Sequence, residues 1–107
     1  MTEGRISDEI RLVLSECGVI AWRNNCGVAE QGGRTIRFGV GSPGGADLIG
    51  LYRGRFLAIE VKTPTGRLSD EQKRFQQLVD RNGGWYVVLR SAAEARRWCA
   101  TLPDLTR

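Results

Sequence analysis

Residues 46–63, ADLIGLYRGRFLAIEVKT, constrain the fold of this chain more than any other stretch. Two runs, 47–52 and 56–62, read as buried strands, and Arg53, Gly54 and Arg55 between them fit a hairpin turn. Inside these runs stand Asp47, Glu60 and Lys62. Charged side chains are almost never fully buried unless they are paired or hold a metal. Side chains alternate along a strand, so Glu60 and Lys62 share a face and Val61 points to the other. The hairpin brings Asp47 near Glu60, and two neighbouring carboxylates repel unless a cation lies between them. The plainer alternative is a same-face Glu60–Lys62 ion pair, with Asp47 capping a turn. A lone E-x-K is common. An acid at a strand start, a hairpin and then I-E-V-K closing an apolar strand is far more specific, and it favours a site.

The remaining elements fall around that hairpin. Ser7 reads as an N-cap with Asp8 and Glu9 in the first turn; Ile6, Ile10, Val13, Leu14 and Cys17 form a helical apolar stripe that Gly18 ends. Residues 19–24 (VIAWRN) read as a strand, 25–33 (NCGVAEQGG) as a loop, and RTIRFGV as a second strand. The run GSPGG at 41–45 is a turn with unusual backbone freedom. After Thr63, Pro64 and Gly66 the spacing predicts a helix from Ser69 to about Arg81, with Phe75, Leu78 and Val79 inward and Asn82-Gly83-Gly84 as its stop. A buried strand (85–90) and a last helix, capped by Ser91 and running to about Thr101, complete the chain. The expected order is α-β-β-β-β-α-β-α, an α/β fold whose mixed central sheet is flanked by helices, in one domain over residues 1–107.

Composition narrows the chemistry. The 107 residues include no histidine, which removes histidine triads, histidine-bound metals and any histidine general base. A bound metal would then have carboxylate and carbonyl ligands, which suit magnesium or manganese. Cys17, Cys26 and Cys99 are odd in number and widely spaced, and read as small buried hydrophobes rather than a disulfide or zinc framework. Trp22, Trp85 and Trp98 sit in strand or helix patterns and read as core. Of 16 basic residues 14 are arginine, and the net charge is +4. Residues 21–67 carry seven basic groups against three acids, whereas residues 1–20 are net acidic. A basic middle suits a polyanion such as nucleic acid; an arginine-rich solvated surface explains it equally well. No apolar run reaches membrane-span length, and MTEGRISDEI lacks the layout of a signal peptide, so a cytoplasmic protein of a bacterial or phage-infected cell is expected.

The arrangement G-G-A-D-L-I-G, then F-L-A-I-E-V-K, then G-R-L-S-D-E-Q resembles the virus-type replication-repair nuclease (VRR-NUC) family of the PD-(D/E)XK nuclease superfamily. The resemblance covers nearly the whole chain. It implies a restriction-endonuclease-like core, metal binding by Asp47 and Glu60, and a catalytic Lys62. It also matches Glu9 to a further acid of the first helix and Gln72 to a glutamine of the helix after the strand. Both have plainer explanations: an acid in a first turn is favourable by itself, and Gln72 stands at capping-box spacing from Ser69. Ala46 stands where the family expects proline, a position that shapes backbone and ligates nothing.

The expected activity is hydrolysis of DNA phosphodiester bonds by an Mg2+- or Mn2+-dependent endonuclease, with Asp47, Glu60 and the Val61 carbonyl around the metal. Lys62 would orient the attacking water and stabilise the transition state. Products with 5′-phosphate and 3′-hydroxyl ends are what the superfamily implies. So small a domain suits structure-selective cutting of branched DNA, such as a Holliday junction, in replication, repair or recombination. Stand-alone members of the family resemble homodimeric junction resolvases, which implies a homodimer. Arg67 and the glycine turn are candidates for phosphate contact, while Arg34 and Arg37 flank a loop that could grip DNA or a partner subunit. Two rivals stand beside this reading: a non-catalytic DNA-binding module on the same fold, and a structural subunit of a phage or mobile-element assembly.

Overall fold

The computed structural model describes residues 2–103. Its elements are α1 (Glu3–Glu16), β1 (Ile20–Arg23), β2 (Gly27–Gln31), β3 (Arg34–Phe38), β4 (Leu48–Tyr52), β5 (Arg55–Val61), α2 (Asp70–Arg81), β6 (Trp85–Leu89) and α3 (Ala92–Thr101). The main sheet has the order β1-β4-β5-β6, antiparallel except for the parallel pair β5 and β6. This is the mixed sheet flanked by helices that the sequence predicts.

Alternation along β5 builds the core. Leu57, Ile59 and Val61 pack with Leu48 and Leu89 against Ile6, Ile10, Val13 and Leu14 of α1 and Ala95 of α3. Ala58, on the other face, packs with Phe75 and Val79 of α2, flanked by Phe56 and Tyr86. Because β5 is covered on both sides, its residues 57–61 are all buried, Glu60 among them. The helices stop where the glycines predict. After α1, Gly18 at φ 80° donates to the Ser15 carbonyl and Val19 to that of Leu14, the paired bonds of a Schellman motif. Gly83 and Gly84 repeat the pattern on Asp80 and Val79 after α2.

Five expectations change. Helix α1 begins at Glu3 rather than after Ser7: Thr2 is the N-cap, its Oγ1 accepting the Arg5 N–H at 3.2 Å. The apolar stripe that marks the helix starts only at Ile6, so its polar first turn left no periodic trace. The 25–33 stretch is not a loop but supplies β2, paired with β3 across Gly32 and Gly33, both at positive φ. That two-residue turn is the signal that marks it. Neither face of this hairpin is covered, so no alternation betrays the strand. Cys17 and Cys26 are exposed and Cys99 only half-buried, because Cys17 caps α1 beyond its buried stripe and Cys26 lies between strands. Trp85 and Trp98 pack on the core, but Trp22 is 51% exposed on edge strand β1, where α2 does not reach. Leu78 is likewise exposed, since α2 buries only Phe75 and Val79. Among the described residues no helix is long and apolar enough to cross a membrane.

Candidate metal centre

The β4–β5 ladder pairs Leu48 with Ile59, and one step further it sets Asp47 opposite Glu60. Asp47 is held at both ends. Its carbonyl accepts the Asn24 N–H at 2.8 Å, and its Oδ2 accepts the Val61 N–H at 2.8 Å. The glycine turn ahead of it fits by close approach. A Cβ on Gly44, which has φ 90°, would strike the Glu71 carbonyl of α2, and one on Gly45 would strike the Val40 carbonyl. Asn24 closes the turn from below: its amide donates to the Val40 and Ala46 carbonyls at 2.9 Å each and accepts the Val40 N–H at 3.0 Å.

Glu60 is 2% exposed. Its Oε2 lies 3.6 Å from Lys62 Nζ and accepts from Gln72 Nε2 at 3.1 Å. The competition over Gln72 dissolves here. Its Oε1 accepts the Ser69 N–H at 2.8 Å, completing the capping box, while its Nε2 reaches Glu60. One amide does both. Glu60 Oε1, by contrast, is buried with no hydrogen-bond partner. Burial, and then the charge of Asp47, push the Glu60 carboxyl up to about 8, against a weaker downward pull from Lys62. Tyr86, whose hydroxyl is also buried without a partner, is pushed up by burial and then by Glu60 and Asp47.

A buried carboxyl opposite a second carboxylate is an arrangement that either a proton shared with Asp47 or a bound cation relieves. Among the described residues no three His, Cys, Asp or Glu side chains gather round one point. The side-chain donors this point could offer a cation are the two carboxylates, with backbone carbonyl and solvent oxygens to add. That set fits magnesium, which is commonly held by one or two carboxylates and keeps several waters.

The structure brings together Asp47, Glu60, Lys62 and Gln72. It does not bring Glu9, which is half-buried on α1 and absent from the cleft beside Asp47. That cleft, about 480 Å³, is lined by Glu3 and Ser7 of α1 together with Arg23, Phe38, Asp47 and Val61. With α1 starting at Glu3, the helix turn facing the cleft is its first, and Glu3 is the acid there. A larger hollow of about 720 Å³ along Arg11, Leu12 and Ile20 holds none of these groups. Arg34 and Arg37 are exposed on opposite faces of the β2–β3 hairpin, and Arg67 is exposed just before α2. Asn24 and Glu3 escaped the sequence reading: Asn24 acts on residues sixteen and twenty-two positions away, and Glu3 precedes the apolar stripe.

The pattern of the VRR-NUC domain matches residues 16–93, a span that includes Asp47, Glu60, Lys62 and Gln72. A solved structure described as a VRR_NUC domain superposes with a TM-score of 0.67 at 19% identity, covering 94% of this chain and 97% of that one. No curated protein matches the chain. A likeness at that identity speaks for the fold, and the matched pattern speaks for the family: the chain belongs to the VRR-NUC domain family, a nuclease-type domain.

Proposed function

We propose that this chain is a metal-dependent DNA endonuclease, selective for branched DNA, in replication, repair or recombination. The observation that carries the reading is Glu60, buried opposite Asp47 with Oε1 unpartnered and with Lys62 and Gln72 on Oε2. A DNA-binding module has no use for two acids beside phosphate, since they weaken binding.

Asp47, Glu60 and the Val61 carbonyl would hold Mg2+ or Mn2+, and the acid that α1 presents to the cleft beside Asp47 is Glu3 rather than Glu9. When bound, such an ion lowers the pKa of a water and neutralises charge on the scissile phosphate. Gln72 fixes the Glu60 carboxylate from one side and Lys62 balances its charge from the other. Lys62 also presents an ammonium to the attacking water and to the charge developing on phosphorus oxygens. Arg34, Arg37 and Arg67 serve as phosphate contacts on the flanks, where their exposure leaves them free to bind.

A homodimer and a cytoplasmic setting belong to the same reading. Ile20, Trp22 and Leu51 are exposed on the half of the sheet that α2 leaves open, and Ile36 and Phe38 on one face of the hairpin. Exposed apolar surface of this kind marks association sites. Sedimentation should give twice the chain mass, and Trp22→Glu should shift it toward the monomer; a wild-type monomer would overturn the dimer.

Incubating the protein with a labelled four-way junction, a flap and a plain duplex, each with magnesium, manganese or EDTA, tests the activity. Cutting of branched DNA with either metal and none in EDTA is expected. Tight binding without cutting under any condition would favour the binding module.

A further inference from the structure

Lys62 lies one residue past the end of β5, where the main chain leaves the sheet. Arg90 stands in the matching place, one residue past the end of the neighbouring strand β6. Arg90 Nη1 donates to two main-chain carbonyls, of Thr63 at 2.6 Å and of Gly66 at 2.7 Å. These are the two ends of a tight turn that the Gly66 N–H closes on the Thr63 carbonyl at 3.1 Å. The turn folds against the catalytic candidate itself. A Cβ on Gly66 would lie 3.3 Å from Lys62 Cδ and 3.2 Å from Thr63 Oγ1.

The anchor is itself tied down. The Arg90 N–H donates to Glu94 Oε1 at 2.8 Å, and the Glu94 N–H to Ser91 Oγ at 3.1 Å, within the cap of α3. The neighbouring Leu89 carbonyl accepts the Lys62 N–H at 3.1 Å. Among the described residues Arg90 forms no ion pair; its half-buried guanidinium goes to carbonyls instead. The same turn leads to Ser69 and Gln72, so its placement bears on both groups that meet Glu60 Oε2.

We propose that Arg90 is the positioning residue of Lys62, clamping the 63–66 turn so that the ammonium stays on Glu60 and faces the phosphate. Arg90 touches neither substrate nor metal in this role. Both bonds leave one nitrogen, Nη1, so a lysine could keep the charge and the donors; what it lacks is the length and the rigid plane that hold that nitrogen between the two carbonyls. The inference rests on the nuclease reading for its kinetic consequence and on the turn alone for its structural one.

The test compares wild type, Arg90→Lys and Arg90→Ala by kcat and KM on the cleaved junction, by melting temperature and by hydrogen exchange of the Gly66 amide. The alanine variant should lose about 10- to 100-fold in kcat with KM little changed, the scale of a misplaced catalytic group. Millimolar methylguanidinium, but not urea, should restore part of the loss. Arg90→Lys should fold as wild type yet cleave slowly, and Gly66 should exchange faster in both variants. Wild-type kcat in Arg90→Lys, or unchanged Gly66 exchange, would overturn the proposal. If wild type itself does not cleave, the nuclease reading fails separately, and Gly66 exchange in Arg90→Lys decides the clamp.

Discussion

Lys62→Ala should bind branched DNA and magnesium yet lose about 10²–10⁴-fold in cleavage, the range for removing a group that acts on the transition state. The side chain is only 14% exposed and its ammonium sits 3.6 Å from Glu60 Oε2. Alanine leaves Gln72 as the one partner on Glu60 Oε2 and removes the pull that lowers the Glu60 pKa. Asp47→Ala should abolish cleavage to a similar degree, for a different reason: it removes a metal donor. It also strips the Val61 N–H of its acceptor, which costs about 1–3 kcal/mol, while relieving the repulsion on Glu60. Its stability should therefore change little. DNA binding by Asp47→Ala should equal or exceed that of wild type, because an acid beside phosphate is gone. Filter binding and gel cleavage on one junction measure both. Wild-type cleavage by either variant would sink the assignment, and a loss of binding equal to the loss of cleavage would point to a folding defect instead.

The residues that meet at this centre were legible because they sit on an element whose pattern physics makes plain. Strand β5 is buried on both faces, so any charge in it stands out, and the parity of Glu60 and Lys62 follows from the pleat. Asp47 is placed by the ladder, one step beyond Leu48 and Ile59. Helices α2 and α3 declare their starts through Ser69 and Ser91. What stayed hidden has a common cause: its stabilising contacts leave no local trace. Strand β2 buries neither face, so nothing alternates along it. The first turn of α1 is polar, so no apolar period marks Glu3, which lines the cleft beside Asp47. Asn24 and Arg90 work through main-chain carbonyls far along the chain, and a carbonyl has no sequence signature. The free oxygen of Glu60 belongs to the same class, since an absent partner is visible only in three dimensions.

That free oxygen makes the second large effect a reversal of sign. In the metal-free protein Glu60 titrates at about 8 rather than its usual 4.5, because burial and Asp47 disfavour its charge. Below 4.5 the group is protonated in both the folded and unfolded chain, and its contribution to stability is fully present. Between 4.5 and about 8 the unfolded chain ionises while the fold holds the proton, so stability falls steadily as pH rises. In EDTA the melting temperature should thus decline across this window. Glu60→Gln removes the carboxylate but keeps a planar polar group beside Gln72. It should match wild type near pH 5 and exceed it at pH 8 by on the order of 1–3 kcal/mol, as when a poorly compensated buried charge is replaced. Magnesium should reverse the ranking: it should stabilise wild type most at pH 8, where the proton no longer competes, and leave Glu60→Gln nearly unmoved. Cleavage by Glu60→Gln should fall by at least about 10²-fold. Thermal melts of both proteins at pH 5 and pH 8, with magnesium or EDTA, carry the whole comparison. A glutamine variant less stable than wild type at pH 8 in EDTA would show that the Lys62 ion pair, not burial and Asp47, dominates at Glu60. A magnesium shift equal in both proteins would remove Glu60 from the metal centre.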